Sequence, residues 1–379
     1  MKIALMSWSR WMGIIVKEFI QLRRDRLTFG MVVGIPILQL ILFGFAINAD
    51  PKQLPTAVLD ADHSPYARSI VQGLRNSGYF RIDHEAATQA EADDLIVHGV
   101  VQFVVIVPAQ FGRNLVRGDK PVLLVEADAT DPSATGNAIA ALQGAVRTSL
   151  SHDLVGPLAR LNPAADPVDV RVHRRYNPEG VTAYNIVPGL LGTILTMTMI
   201  LMTGLAMTRE RERGTFENLL ATPALPIEVM TGKIVPYILI GLVQVTLLLA
   251  AALWLFDVPL AGSVALLYLA VLIFIAANLA LGITFSSMAR NQLQAMQMTF
   301  FFFLPSILLS GFMFPFRGMP VWAQWIGNVL PLTHFLRLVR GIMLKGSGMA
   351  ELWPEVWPIL AFLASAIALG LAVYRKTLD

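Results

Sequence analysis

The sequence predicts an α-helical membrane protein of six spans with an α/β domain inserted between the first two, and three observations carry that reading. Hydrophobic residues make up 55% of the 379-residue chain and charged residues only 15%, against about 25% charged in an ordinary soluble domain. Six apolar segments are long enough to cross a bilayer core of about 30 Å, which takes about 20 helical residues because lipid offers no partner to backbone polar groups. Between the first and second of them, residues 48–180 return to the mixed composition of a globular fold.

The elements follow in order. Over residues 1–26, Trp8, Trp11, Met12, Ile15, Phe19 and Leu22 share one helical face, with Arg10, Lys17, Gln21 and Arg24 opposite. This pattern predicts a cytoplasmic helix lying in the membrane interface, or one packed on protein by the same stripe. It has no uninterrupted apolar core and no small-residue cleavage site, so the first span, 27–47, is expected to act as the insertion signal. The further spans are expected at 181–207, 234–256, within 258–288, at 291–314 and at 356–374, the fourth and fifth parted by a hinge at Ala289 and Arg290. Bounded in this way, the spans contain no Asp, Glu, Lys, Arg or His. Basic residues gather before the first span (Lys2, Arg10, Lys17, Arg23, Arg24, Arg26), after the second (Arg209, Arg211, Arg213, Lys233), after the fourth (Arg290) and after the sixth (Arg375, Lys376). Short basic flanks mark the cytoplasmic side, which places both termini inside and residues 48–180 outside. The exception is an outer segment, 311–350, with Arg317, Arg337, Arg340 and Lys345.

Within the inserted domain, "TAVLD" (56–60), "YFRID" (79–83), "VVQFVVIV" (100–107) and "PVLLVEAD" (121–128) read as strands, with helices over 64–76, 90–97, 109–116 and 133–152. Such alternation predicts a largely parallel sheet. Residues 162–169 and the basic "RVHRRYNPEG" (171–180) are expected to lead the chain back to the membrane.

Several chemistries are excluded. The chain has no cysteine, hence no disulfide framework, thiolate nucleophile or cysteine metal site. None of the six histidines, His63, His84, His98, His152, His173 and His334, forms a spaced pair with another ligand on one helical face, so no metal is expected. The net charge of +3 comes from topology-setting clusters and not from a nucleic-acid footprint. Asp60, Asp62 and His63 form a loop after a strand, where an open α/β sheet can hold a small ligand; a polar turn is the commoner account. No nucleophile and base stand together, so no enzymatic site is expected.

Two regions attract functional attention. Residues 209–226 link the second and third spans with Arg209, Glu210, Arg211, Glu212 and Arg213 in succession, then Gly214 and Thr215, then an apolar stripe of Phe216, Leu219 and Leu220 ending at Pro223 and Pro226. Thr215 is placed to cap that helix and Glu217 and Asn218 face away from the stripe. A short stiff helix between two spans can relay a push from a cytoplasmic partner; a topology anchor with a solvated helix reads equally well from the residues alone. In the outer segment, Trp322 and Trp325 are interfacial aromatics, and Arg337 and Arg340 read as snorkelling anchors or as contacts to lipid phosphate or amphipathic substrate at an exit. Inside the spans, Gln244, Asn278, Gln294, Gln297, Thr299 and the Phe300 to Phe303 cluster, with Met197 and Met296 to Met298, are candidates to line a path. Helix-packing contacts account for the same residues.

"RERERGTFENLLATPALPIEVMTGKIVPYILIGLVQ" (209–244) resembles the ABC transporter type-2 permease family, as do "VKEFIQLRRDRLTFGMVVGIPILQLILFGFAIN" (16–48) and "LPLTHFLRLVRGIMLKG" (330–346), in that order and over nearly the whole chain. The large outer insert is similar to that of a drug-export-like subgroup. The resemblance implies that Glu210, Glu212, Gly214, Thr215, Glu217, Leu219, Leu220 and Pro223 belong to a coupling helix that docks on a nucleotide-binding subunit. It implies too that Gly232 and Lys233 open the third span; Asn218 departs from the Gln or Glu of many relatives, which touches only the capping. No G-x-x-x-x-G-K-[ST] phosphate loop occurs in the chain, so ATP and Mg are expected on a separate ATPase subunit, with no cofactor on this one. The resemblance further implies a second permease copy or similar chain, membrane lipids and a periplasmic membrane-fusion adaptor as partners, the bacterial inner membrane as location, and outward movement of a hydrophobic or amphipathic drug-like molecule or lipid. A membrane-anchored sensor or assembly factor and an ion-coupled carrier are the alternatives; the want of ionisable groups inside the spans speaks against the carrier.

Overall fold

The computed structural model describes residues 51–161, 166–212 and 226–375. The expected interfacial helix (1–26), the first span (27–47) and the loop from Arg213 to Leu225 lie outside the described residues.

The α/β domain is built on a five-stranded sheet in the order β2-β1-β3-β4-β5: β1 (Leu54–Asp60), β2 (Phe80–Glu85), β3 (Phe103–Val107), β4 (Val122–Asp128) and β5 (Asp169–Arg175). β1 pairs in parallel with both β2 and β3, β3 pairs antiparallel with β4, and β4 is parallel to β5. Strand periodicity of two sends alternate side chains to opposite faces. Phe103, Val105 and Val107 of β3 and Leu123, Val125 and Ala127 of β4 therefore share a core with α1 (Pro65–Asn76), α3 (Phe111–Arg117) and α4 (Pro132–Ser151). Val104 and Ala57 point the other way and meet Ala92 and Ile96 of α2 (Gln89–Val97). Helix starts obey their caps: Ser64 Oγ accepts from Ala67 N, Thr88 Oγ1 from Glu91 N, and Asp131 from Ser133 N.

β5 corrects the reading of "RVHRRYNPEG" as a mere return to the membrane. Val170 and Val172 pack against the core, while Arg171, His173 and Arg175 occupy the alternate positions. On that side Arg175 pairs with Glu126 at 2.5 Å and with Asp93. A strand that presents a charged face to buried acids lacks the apolar run that betrays a strand in sequence.

Five helices among the described residues are long and apolar enough to cross a membrane, over Thr182–Leu205, Tyr237–Trp254, Val264–Met288, Gln292–Leu309 and Met349–Ala372. They belong to α5 (Thr182–Glu212), α6 (Pro226–Trp254), α7 (Val264–Met288), α8 (Gln292–Leu309) and α11 (Met349–Arg375). Between the last two lie α9 (Val321–Val329), α10 (Pro331–Arg340) and a single π-turn, Gly341–Lys345. α11 begins earlier than the expected 356, carrying Pro354 and Pro358. Glu351 and Glu355 thereby fall within a span, which corrects the expectation that the spans hold no acid. α8 ends at Leu309, not 314, because Ser310 and Gly311 (φ 82°) turn the chain.

α7 is the centre of the bundle. Leu267, Val271 and Phe274 meet Leu191 and Leu195 of α5, Val245 of α6, Phe335 and Val339 of α10 and Ile359 of α11. Phe274 and Phe335 stack with centroids 3.9 Å apart. Small residues let helices approach closely: a Cβ at Gly282 would lie 1.9 Å from Thr203 Oγ1 and 2.7 Å from the Ile200 carbonyl. In the apolar windows of α5 and α7, 56% is buried, against 22% in α6 and α11. The latter two turn Leu239, Val243, Leu247, Trp357 and Leu369 outward as lipid-facing helices do.

Candidate functional site

The polar residues of the spans are mostly bound within their own helices. Asn278 Nδ2 donates to Phe274 O at 2.8 Å and Thr299 Oγ1 to Ala295 O at 2.9 Å. Gln294 serves the start of α8, its N–H donating to the Asn291 cap and its Oε1 accepting from Arg290 N, both at 2.8 Å. Gln244 crosses to another helix by a hydrogen bond, Thr198 Oγ1 meeting its Oε1 at 3.0 Å. Asn278 Oδ1 and Gln297 Oε1 are buried without a hydrogen-bond partner. Phe300 is exposed and Phe303 half-buried. The residues are thus spread over α6, α7 and α8.

At the entry to the loop, α5 continues through Arg209, Glu210, Arg211 and Glu212. Arg209 is exposed. Glu212 is engaged inside the chain: its Oε1 accepts from Gln292 N at 2.8 Å and its other oxygen from Gln292 Nε2, at the first turn of α8. The side-chain and then the backbone hydrogen bond from Gln292 hold this carboxyl below its ordinary value. Arg213, Gly214, Thr215, Phe216, Glu217, Leu219, Leu220 and Pro223 lie outside the described residues.

The densest set of charges lies where the α/β domain meets the bundle. Lys345, on the π-turn, donates to Asp128 Oδ2 at 2.6 Å, with side-chain exposures of 12% and 9%. Its ammonium also lies 5.1 Å from the Tyr176 ring. Burial and the Asp128 charge hold the Tyr176 phenol above its usual range, so it stays neutral beside the pair. Arg340 donates to Asn185 Oδ1 at 2.5 Å and to Gly311 O at 3.4 Å, and Asn185 Nδ2 donates on to Asp131 at 2.8 Å. Arg317 donates to Gly99 O at 2.7 Å; burial, and then the charge of Arg337, lower its pKa. Beside these, Glu355 accepts from Arg337 at 3.3 Å and meets His334 Nδ1 at 2.5 Å, while His334 Nε2 reaches Asn328 O at 2.8 Å. Arg337 also lies over the Phe316 ring, 4.6 Å from its centroid.

These contacts engage Arg337 and Arg340 within the protein. Both guanidinium groups are tied to protein, because the acids and carbonyls they need are supplied by α11, α5 and the turn after α8. Each of the four basic residues Arg317, Arg337, Arg340 and Lys345 has an acceptor within the protein. Trp322 and Trp325, by contrast, are 38% and 72% exposed. Sequence reasoning missed Asp128, Asp131, Asn185, His334 and Glu355. One signal was available, since Glu126 and Asp128 alternate with the core residues of β4 and so sit on a face that needed cations. Among the described residues no three His, Asp or Glu side chains are grouped to hold a metal.

Comparison with known proteins gives this architecture a family. The Escherichia coli (strain K12) protein named "Probable multidrug ABC transporter permease YbhR" is 29% identical over 369 residues, 97% of this chain and 99% of its own length. YbhS of the same organism, described in the same words, is 28% identical over 381 residues, covering 99% of each chain. "Inner membrane transport permease YhhJ" of that strain is 30% identical over 361 residues, 90% of this chain and 93% of its own. Residues 26–375 match the family described as ABC-2 family transporter protein. With so much of its length inside that match, including the α/β domain and all five described spans, the chain belongs to the ABC-2 family of transporter proteins.

Proposed function

We propose that the chain, a multi-pass ABC-2 transporter permease, exports a hydrophobic or amphipathic drug-like molecule or lipid across the bacterial inner membrane with ATP hydrolysed on a separate subunit. The observation that carries this reading is the match over 26–375 and to relatives described as multidrug permeases. A first span at 27–47 would bring the total to six, place both termini in the cytoplasm and put the α/β domain outside. In that arrangement the chain pairs with itself or a similar chain, and two ATPase subunits press on the loop 209–226 from the cytoplasm. ATP and Mg are held by those subunits, and closure of the ATPases shifts the spans between two packings. A periplasmic adaptor is the expected partner of the outer face.

The assignment of the loop is tested by Glu217→Ala combined with Leu219→Ala. The expected result, in proteoliposomes holding chain and ATPase, is normal insertion and ATPase binding reduced, with export of a fluorescent cationic dye lost. Undiminished export by the double variant would remove the coupling role. A purified chain that moved the dye with no companion subunit would overturn the whole reading.

A further inference from the structure

The end of the α/β domain remote from the bundle carries a crevice unconnected with the contacts described above. Gly99, Asp128 and Asp131 hold the near end to the bundle, at the start of β3 and the end of β4. β1 runs parallel to β3, with Thr56 opposite Phe103 and Asp60 opposite Val107. At a rise of about 3.3 Å per residue, Asp60 lies roughly 20 Å along β1 from Leu54. The carboxyl ends of β1 and β2 therefore face away from the spans.

A crevice of about 740 Å³ opens at this end, between α1 and the edge strand β2. Ligand sites range over about 300–1,000 Å³. Val71 and Ile82 contribute to an apolar floor; Arg68 and Arg75 stand along the helical wall, and Asp60 and Glu85 at the strand ends. The arginines are two turns apart on one face of α1. Arg75 gives one Nη2 bond to Ile82 O at 3.3 Å and Arg68 one Nη1 bond to His63 O at 3.5 Å, so each retains other donors. Asp60 Oδ1 accepts from Asp62 N and His63 N, both at 3.0 Å. Two cations opposite two carboxylates over an apolar floor would repel a guest of either single charge from one wall.

We propose that this crevice binds a small zwitterionic amphipath, its apolar body on Val71 and Ile82, its anionic group on the arginines and its cationic group on Asp60 and Glu85. The site is separate from any route through the spans, and it stands whether or not the export reading does.

The test uses the full chain in lipid nanodiscs, with leucyl-leucine as a zwitterionic probe and its N-acetyl, C-amide form as the uncharged control. Binding is followed by ligand-observed saturation-transfer NMR and by titration calorimetry. Saturable binding of the dipeptide is expected, about tenfold weaker in Arg68→Ala and in Glu85→Gln, the loss of one charge-assisted hydrogen bond each, and about a hundredfold weaker for the capped control, which lacks both charges. Val71→Trp, which fills the floor and leaves every charge in place, is expected to abolish it. Absence of saturable binding to the unaltered chain overturns the proposal, as does affinity unchanged in all three variants.

Discussion

The crossing of α5 and α7 and the layer joining the α/β domain to the bundle are both buried, yet different forces hold them. At the crossing, Thr203 returns its hydroxyl to Met199 O of its own helix, and contact depends on a glycine that leaves no room for a Cβ. Dispersion forces of this kind change gradually as helices slide. The joining layer rests on Lys345 with Asp128, Arg340 with Asn185 and Asp131, and Arg317 with Gly99 O. A buried ionic contact is either made or left as an uncompensated charge. The difference implies that the crossing is sensitive to added volume and the joining layer to the loss of a single polar partner.

Breaking one partner of that layer is expected to have the largest effect. Lys345→Met should lower the stability of the purified chain by about 3 kcal/mol, because Asp128 is left buried and unpaired; Lys345→Met with Asp128→Leu should recover most of it. A thermal-unfolding midpoint in detergent that fell equally in the single and double variants would show that packing, not charge, holds the layer. Next in size, Gly282→Leu should cost about 2 kcal/mol by overpacking. It should also separate spin labels placed on α5 and α7, and an unchanged distance would remove the close crossing from this account.

The smallest effect on stability is expected at the exposed tie between Glu212 and Gln292. Glu212→Gln should leave the unfolding midpoint unmoved but widen the distance distribution between labels at Arg209→Cys and Leu293→Cys, which a chain without cysteine accepts cleanly. The carboxyl of Glu212 is lowered in the folded chain, so the tie is complete above the ordinary carboxyl value and is lost as pH falls through the folded one. The unaltered chain should therefore take on the Glu212→Gln distribution in acid, and a distribution indifferent to pH would show that Gln292 is held otherwise.

Which parts could be read from the sequence follows the same division. The described spans were legible because lipid demands a long apolar run wherever a helix crosses, and the first four strands because alternating or β-branched residues mark them. β5 was not, since Arg171, His173 and Arg175 interrupt its valines, and the acids that Arg175 meets lie on α2 and β4. In the candidate site, the basic residues of 311–350 were visible as charges out of place. Their acceptors were not: Lys345 and Asp128 are 217 residues apart in the chain, and Arg340 and Asn185 are 155 apart. Glu355 stands one residue before the expected last span, 356–374, whereas the helix runs from Met349 and carries Pro354 and Pro358 within it.

The antiparallel turn of β4 against β3 has one more outcome. It brings the β4 end back to the side from which β1 departs, and β5, parallel to β4, finishes there too. Three strand spacings of about 4.8 Å put the doorway and the exit of the insert roughly 14 Å apart. An insert so arranged can be swapped for another without rethreading the helices beneath it, on one condition. The newcomer must arrive with acids in register for Lys345 and the Asn185–Arg340 pair, or it will leave the cations of its host stranded.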